Sequence, residues 1–442
     1  MKRILCKRQI QTIILLSAVI FILLCGVAYT VSTRTTTAVD NTPAGAEKPP
    51  HELLRAARPS ANEHIAWETN LGGTGRETPV TVLQKNNEIF VFGNTDSADL
   101  DFAGKAADKT RGFCARLSLL GRTLSFTVFD FTVAKAIPVS EGFAVAGNEG
   151  SVAGIYLLSD DLTQTGKANM PTTHALTAVG LYEFDNRYFL VASAYNDLTQ
   201  KTSLLLHIYT KGLSREYEKV FAHSYGLELL DILPYNGGYL LAASAQLQSL
   251  GCLTLFRFSA MSEPVPADID LGHAYAPTAF MPLGDGYAAV CDNGGNCEIL
   301  LIDADLQKSN LHFSSKTPNA NRKTLFYAGG AYAYTGEKLL KLSDDGRIVG
   351  TLDLAVQRIT DYCYNGVAAF AAGITPNGIT VVMIGAQATQ TRTFAAKEPQ
   401  TALLCAGNSS VLFAADTSGA TADCGDFFGG TDVWVGKMPL TA

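Results

Sequence analysis

One pattern constrains this chain more than any other. An apolar strand end runs into a Gly, Asn, Asp or Ser turn, and a run of small and branched residues follows. It reads AIPVSEGFAVAG from Ala136, ILPYNGGYLLAAS from Ile232 and FMPLGDGYAAVCD from Phe280. LYEFDNRYFLVASA from Leu181 and DYCYNGVAAFAAG from Asp361 are variants of it. The turn residues supply positive φ, and the run after them has the continuous apolar character of a strand buried on both faces. A hairpin recurring at such intervals is the mark of a repeat architecture.

First strands of successive units are expected near Pro79, Thr132, Ala175, Tyr225, Tyr275, Asn321, Val356 and Gln400, at spacings of 35 to 53 residues. A four-stranded propeller blade needs about 40–50 residues. No segment of helical period interrupts the series. The count is eight, with seven as the alternative if the short unit at Asn321 is not a blade. The ends fit a ring. The last unit supplies TALLCAGNSS, VLFAADTS and TDVWVGKMPL and lacks a fourth strand, while HIAWETNL from His64 is a fourth strand with no unit before it. Their pairing would close an all-β propeller and remove the ends of the array.

The first unit is the fullest. It runs WETNLGGTGRE from Trp67 and then FVFGNTDSADLDFAGKAADKTRGFCARLSLLGRTL from Phe90. With FFGGTDVWVGKM from Phe427, it resembles the bacterial seven-bladed β-propeller (SBBP-type) repeats of secreted and cell-surface proteins. The resemblance spans about a fifth of the chain. The middle units lack the Gly-Gly and the Trp. It implies a surface or adhesive module and assigns no chemistry.

The N-terminus sets an expected address. Lys2, Arg3, Lys7 and Arg8 precede Ile13–Val31, IILLSAVIFILLCGVAYTV, which carries no charge. Nineteen residues at ~1.5 Å rise make roughly 28 Å of helix, about a bilayer core. Basic residues before the span put the N-terminus in the cytoplasm. The expected order is a tail over 1–10, an anchor over 11–32, a Thr/Pro/Ala linker over 33–62 and an extracellular propeller over 63–442. The alternative is a cleaved signal with Gly26-Val27-Ala28 as the small-residue site. Net charge is −7, and four of the basic residues are terminal, so the body is more acidic still. That excludes nucleic acid as an expected partner, because phosphate contacts need clustered Lys and Arg.

Two acidic loops are the candidate ligand site. One carries Asp96, Asp99 and Asp101, the other Asp423, Asp426 and Asp432. Both fall between second and third strands, in units that become neighbours on ring closure. The linking loop Gly72–Glu77 shares their face. Asp99, Asp101, Asp423 and Asp426 could hold calcium if they converge. The plainer reading is two solvated turns. Cys291 and Cys297 flank a hairpin mouth and are the disulfide candidate. The seven histidines have no zinc-ligand spacing, and neither a GxSxG elbow nor a phosphate loop occurs. The expected function is a non-enzymatic binding or scaffolding module for a protein, glycan or cell-wall partner. The alternative is a propeller hydrolase or lyase with a funnel active site, in which carboxylates and a His or Tyr would converge on the axis.

Overall fold

A computed structural model describes residues 60–440 except 61, 104–108, 172–173, 248–249, 271–276, 294–295, 317–323, 386–388, 422 and 425–426. The apolar run 13–31, the tail and nearly all of the linker lie outside the described residues. Among the described residues, no helix is long and apolar enough to cross a membrane.

The chain forms eight four-stranded antiparallel sheets. Seven are consecutive meanders. The eighth joins Trp67–Leu71 to the three last strands, Ala402–Ala406, Ser410–Thr417 and Asp432–Pro439. Its closing register pairs Trp67 with Lys437 and Leu71 with Val433. The sheets are the blades of one propeller. Their inner strands are Glu77–Lys85, Thr132–Val139, Leu176–Phe184, Gly226–Tyr235, Pro277–Leu283, Thr324–Tyr327, Arg358–Tyr364 and Ala402–Ala406. Each touches the next, and the eighth touches the first. The expected starts hold to within three residues. The count is eight, which overturns the seven-bladed alternative and departs from the seven of the resembled repeat. The short unit is a true blade, trimmed to an inner strand of four residues.

Hairpin turns behave as their chemistry dictates. Asn86 and Asn87 have φ of 52° and 62°, and Asn236 and Gly237 have 43° and 75°. Two consecutive positive φ values match the right-handed twist of the flanking strands.

The hydrophobic core is not one mass. It divides into eight clusters, each between two adjacent blades. Second strands, such as Glu88–Thr95 and Ser410–Thr417, are buried on both faces because a neighbouring blade covers each side. Trp434 is fully buried at the seam of blades 7 and 8, 4.8 Å from Phe413 in an edge-to-face contact. Its Nε1–H donates to Glu68 on the N-terminal strand at 3.2 Å, so the closing blade is sealed by a polar bond as well as by packing.

The two-sided burial also corrects the disulfide expectation. Cys291 pairs in register with Glu298, and Cys297 pairs with Asp292. This one-residue offset sends the two thiols to opposite faces of blade 5, because side chains alternate along a strand. Cys291 packs at the seam with blade 4 and Cys297 at the seam with blade 6. No disulfide joins them.

Candidate functional site

The linking loop from blade 8 into blade 1 is held in an unusual way. Five consecutive backbone amides, Gly72 to Arg76, all donate to side-chain oxygens. Gly72 N–H goes to Asp101 Oδ2 at 2.9 Å and Gly73 N–H to Glu77 Oε2 at 3.0 Å. Thr74 gives its N–H and its hydroxyl to the two oxygens of Asp99, at 2.9 and 2.7 Å. Gly75 N–H reaches Ser97 Oγ at 2.8 Å, and Arg76 N–H reaches Asp96 Oδ1. Charge-assisted bonds of this kind are about twice as strong as neutral ones. Those from Thr74 lower the pKa of Asp99. Glu77 is fully buried; burial raises its pKa, opposed by bonds from Ser97, Thr95 and Gly73.

The loop's glycines are closely enclosed by the carboxylates around them. A Cβ on Gly75 would lie 2.2 Å from Asp96 Oδ1, and one on Gly72 would lie 2.3 Å from Asp432 Oδ1. Asp432 is itself fully buried and accepts the Phe428 N–H at 2.8 Å. Thr431 beside it bonds the same loop, receiving the Glu77 N–H at 2.7 Å and donating to Gly75 O at 3.0 Å.

The acidic residues therefore divide. Asp96, Asp99, Asp101 and Asp432 surround one loop. Asp423 does not join them: its oxygens accept Asn62 Nδ2 at 2.9 Å and Ala395 N at 2.6 Å, stitching the seam of blades 7 and 8. Asp426 lies outside the described residues. Among the described residues, no three of these carboxylates bring ligand oxygens within 4.8 Å of one another. The convergence expected for Asp99, Asp101 and Asp423 is thus replaced by separate bonds to amide donors. These carboxylates fasten the ring where its two ends meet.

A second polar set stands on the propeller axis, and the sequence reading missed it. The inner strands of blades 1 to 5 and 7 each break register at the same point, after Pro79, Val133, Ala178, Leu229, Pro277 and Ile359. Each break is a β-bulge, which adds a residue and re-aims the next side chain. The residues after it are Thr81, Lys135, Gly180, Asp231, Ala279 and Asp361. Two of them reach sideways to the next blade. Thr81 Oγ1 accepts Ala136 N–H at 3.3 Å, and Asp361 Oδ2 accepts Leu404 N–H at 2.7 Å.

Lys135 and Asp231 engage each other through Tyr182. The Lys135 Nζ sits 4.4 Å above the Tyr182 ring, and burial first, then the Asp231 charge, raises the pKa of the Tyr182 hydroxyl. Asp231 also accepts its neighbour Ile232 N–H at 2.8 Å. Burial lowers the Lys135 pKa, and the Asp231 charge opposes this. Burial raises the Asp231 pKa, opposed by the Ile232 amide, Tyr182 and Lys135. From blade 7, Tyr362 stacks on Phe326 at 4.8 Å and feels the charges of Asp231 and Asp361. Asp361 is pushed up to about 6, by burial first, against bonds from the Leu404 and Tyr362 amides. The one available signal was positional: a charged residue begins or immediately precedes three of the recurrent hairpin motifs, at Lys135, Asp231 and Asp361.

No protein-family model matches this chain, and no curated protein matches it. Solved structures do. The chain is similar to the Dos1 propeller at 11% identity, covering 82% of this chain and 94% of that one, with a TM-score of 0.50. It is also similar to BBS1N in complex with ARL6DN, at 13% identity, 76% and 97% coverage and a TM-score of 0.44. A prolyl endopeptidase structure matches at 9% identity, 77% and 53% coverage and a TM-score of 0.43. At these identities the likeness extends to the propeller fold alone.

Proposed function

We propose that the protein is a membrane-anchored extracellular β-propeller that binds a protein or glycan partner and has no catalytic role. The observation that carries this reading is how the axial charges are used. Lys135, Asp231 and Asp361 are committed to Tyr182, Ile232 and Leu404. Asp96, Asp99 and Asp101 are likewise bonded to the linking loop, and Asp423 to Asn62 and Ala395. What a partner would meet is the loop surface of a closed ring. Solved propellers seen with a protein partner, such as BBS1N with ARL6DN, are consistent with this use. The anchor rests on the uncharged run Ile13–Val31 behind four basic residues.

The test is capture by the full chain, displayed in membranes or detergent, from extracellular protein fractions and a glycan array. A saturable partner displaced by excess free protein is expected. Failure to retain any ligand, together with turnover of a hydrolase or lyase panel, would overturn the reading in favour of a funnel enzyme. One observation favours that alternative: two carboxylates and two tyrosines, Asp231, Asp361, Tyr182 and Tyr362, face the axis from three blades. Turnover lost in Asp231→Asn would then locate it.

A further inference from the structure

We propose that His223, Cys252 and Asp268 form a binding site for one zinc-class divalent cation at the seam of blades 3 and 4. An imidazole nitrogen, a thiol sulfur and a carboxylate oxygen lie there within 4.8 Å of one another. They come from three separate stretches. His223 lies in the connection between the outer strand of blade 3, Arg215–Phe221, and the inner strand of blade 4, Gly226–Tyr235. Cys252 is on the third strand of blade 4, Leu250–Phe258, and Asp268 on its outer strand, Val265–Asp270. Register explains why two of them meet. Asp268 pairs with Thr254, which is two residues from Cys252 and therefore on the same face of the blade. The incoming connection lays His223 over that face.

The spacing suits a shared ion. His223 Nε2 lies 3.3 Å from Asp268 Oδ2. That is about the edge of a tetrahedron whose metal–nitrogen and metal–oxygen bonds are about 2.0–2.1 Å. Burial is graded: Cys252 is buried, His223 mostly so and Asp268 exposed. Three protein ligands with a solvent side leave a fourth position for water. A nitrogen, sulfur and oxygen set suits zinc and not calcium or magnesium, which take oxygen ligands throughout.

Loading has a defined proton balance. His223 Nδ1 accepts the Tyr225 N–H at 3.0 Å, so the neutral ring carries its proton on Nε2, facing Asp268. Coordination through Nε2 moves that proton to Nδ1 and expels the Cys252 thiol proton to solvent. Nδ1–H can no longer accept from Tyr225, so that amide is released and the connection shifts. The Tyr225 ring packs edge-to-face on His223 at 4.8 Å and also against the core of blades 3 and 4. Occupancy is therefore coupled to how blade 4 joins blade 3.

The test uses the full chain in detergent, stripped with chelator and titrated with zinc alone or cobalt alone. One equivalent of zinc per chain is expected. Cobalt should give the near-ultraviolet charge-transfer band of a thiolate ligand, and the Tyr225 amide should change its hydrogen-exchange rate. Outer-shell partners alone cost about 10–100-fold in affinity, so His223→Gln and Asp268→Asn should each cost at least about tenfold. Cys252→Ala should abolish the cobalt band. His64→Gln, which removes an exposed imidazole elsewhere, should change nothing. Equal zinc binding by wild type and His223→Gln, or a cobalt complex without the thiolate band, would overturn the proposal. So would the lack of any saturable binding. Because His223 and Asp268 are less buried than Cys252, their variants keep the test decisive if Cys252→Ala fails to fold.

Discussion

Asp361 should make the ring less stable as pH rises through the acidic range from about 4 to about 6, and replacing it with Asn should remove that loss. The carboxyl is held between the inner strands of blades 7 and 8, where it accepts Leu404 N–H at 2.7 Å. Burial disfavours its ionised form and displaces its pKa from 3.8 to about 6. The displacement from 3.8 to about 6 is worth about 3 kcal/mol between the two protonation states. A carboxyl raised in this way contributes stability that is fully present below its unfolded value. That contribution is lost as pH rises from about 4 to about 6, and the folded state bears the full penalty above that. Asn keeps a carbonyl oxygen for the Leu404 amide and does not titrate. Denaturant unfolding at a series of pH values from 4 to 8 should therefore give a wild-type-minus-Asp361→Asn difference that falls by about 3 kcal/mol. Glu77, Asp231 and Asp416 are also raised by burial, but they titrate in both proteins and cancel in the difference. Parallel stability curves for the two proteins would refute the argument, because they would mean that Asp361 ionises as freely folded as unfolded.

Other perturbations address the ring and its address. Trp434→Ala should cost about 3–5 kcal/mol by thermal or denaturant unfolding, since the indole is fully buried at the closing seam. Truncation before Thr431 should abolish cooperative unfolding; an unchanged melting curve would contradict closure by Trp67–Leu71. Gly75→Ala places a methyl 2.2 Å from Asp96 Oδ1 and should cost about 1–3 kcal/mol, which urea titration would measure. A reporter fused after residue 45 should be accessible from outside the cell in a protein that stays with membranes at full mass. A shortened, freely secreted form would show a cleaved signal instead.

Local chemistry and tertiary closure divide the credit. Turn residues such as Asn236-Gly237 and the buried runs after them act within one hairpin, so a single sequence suffices to find the blades and even their starts. The unpaired strand at each end is likewise visible, because a missing fourth strand is a count. What the sequence leaves open is everything set by pairing between distant strands. The offset that separates Cys291 from Cys297 is one residue of register, invisible in a spacing of six. The acidic loops look alike in composition, yet Asp99 meets Thr74 while Asp423 meets Ala395, because ring closure decides which amides stand beside each. The axial residues Lys135, Asp231 and Asp361 read as lone charges in apolar strands. A bulge turns each of them, and only a ring of eight inner strands brings blades 2, 3, 4 and 7 to one axis. Burial there is a property of the closed ring, and so is the displaced pKa of Asp361.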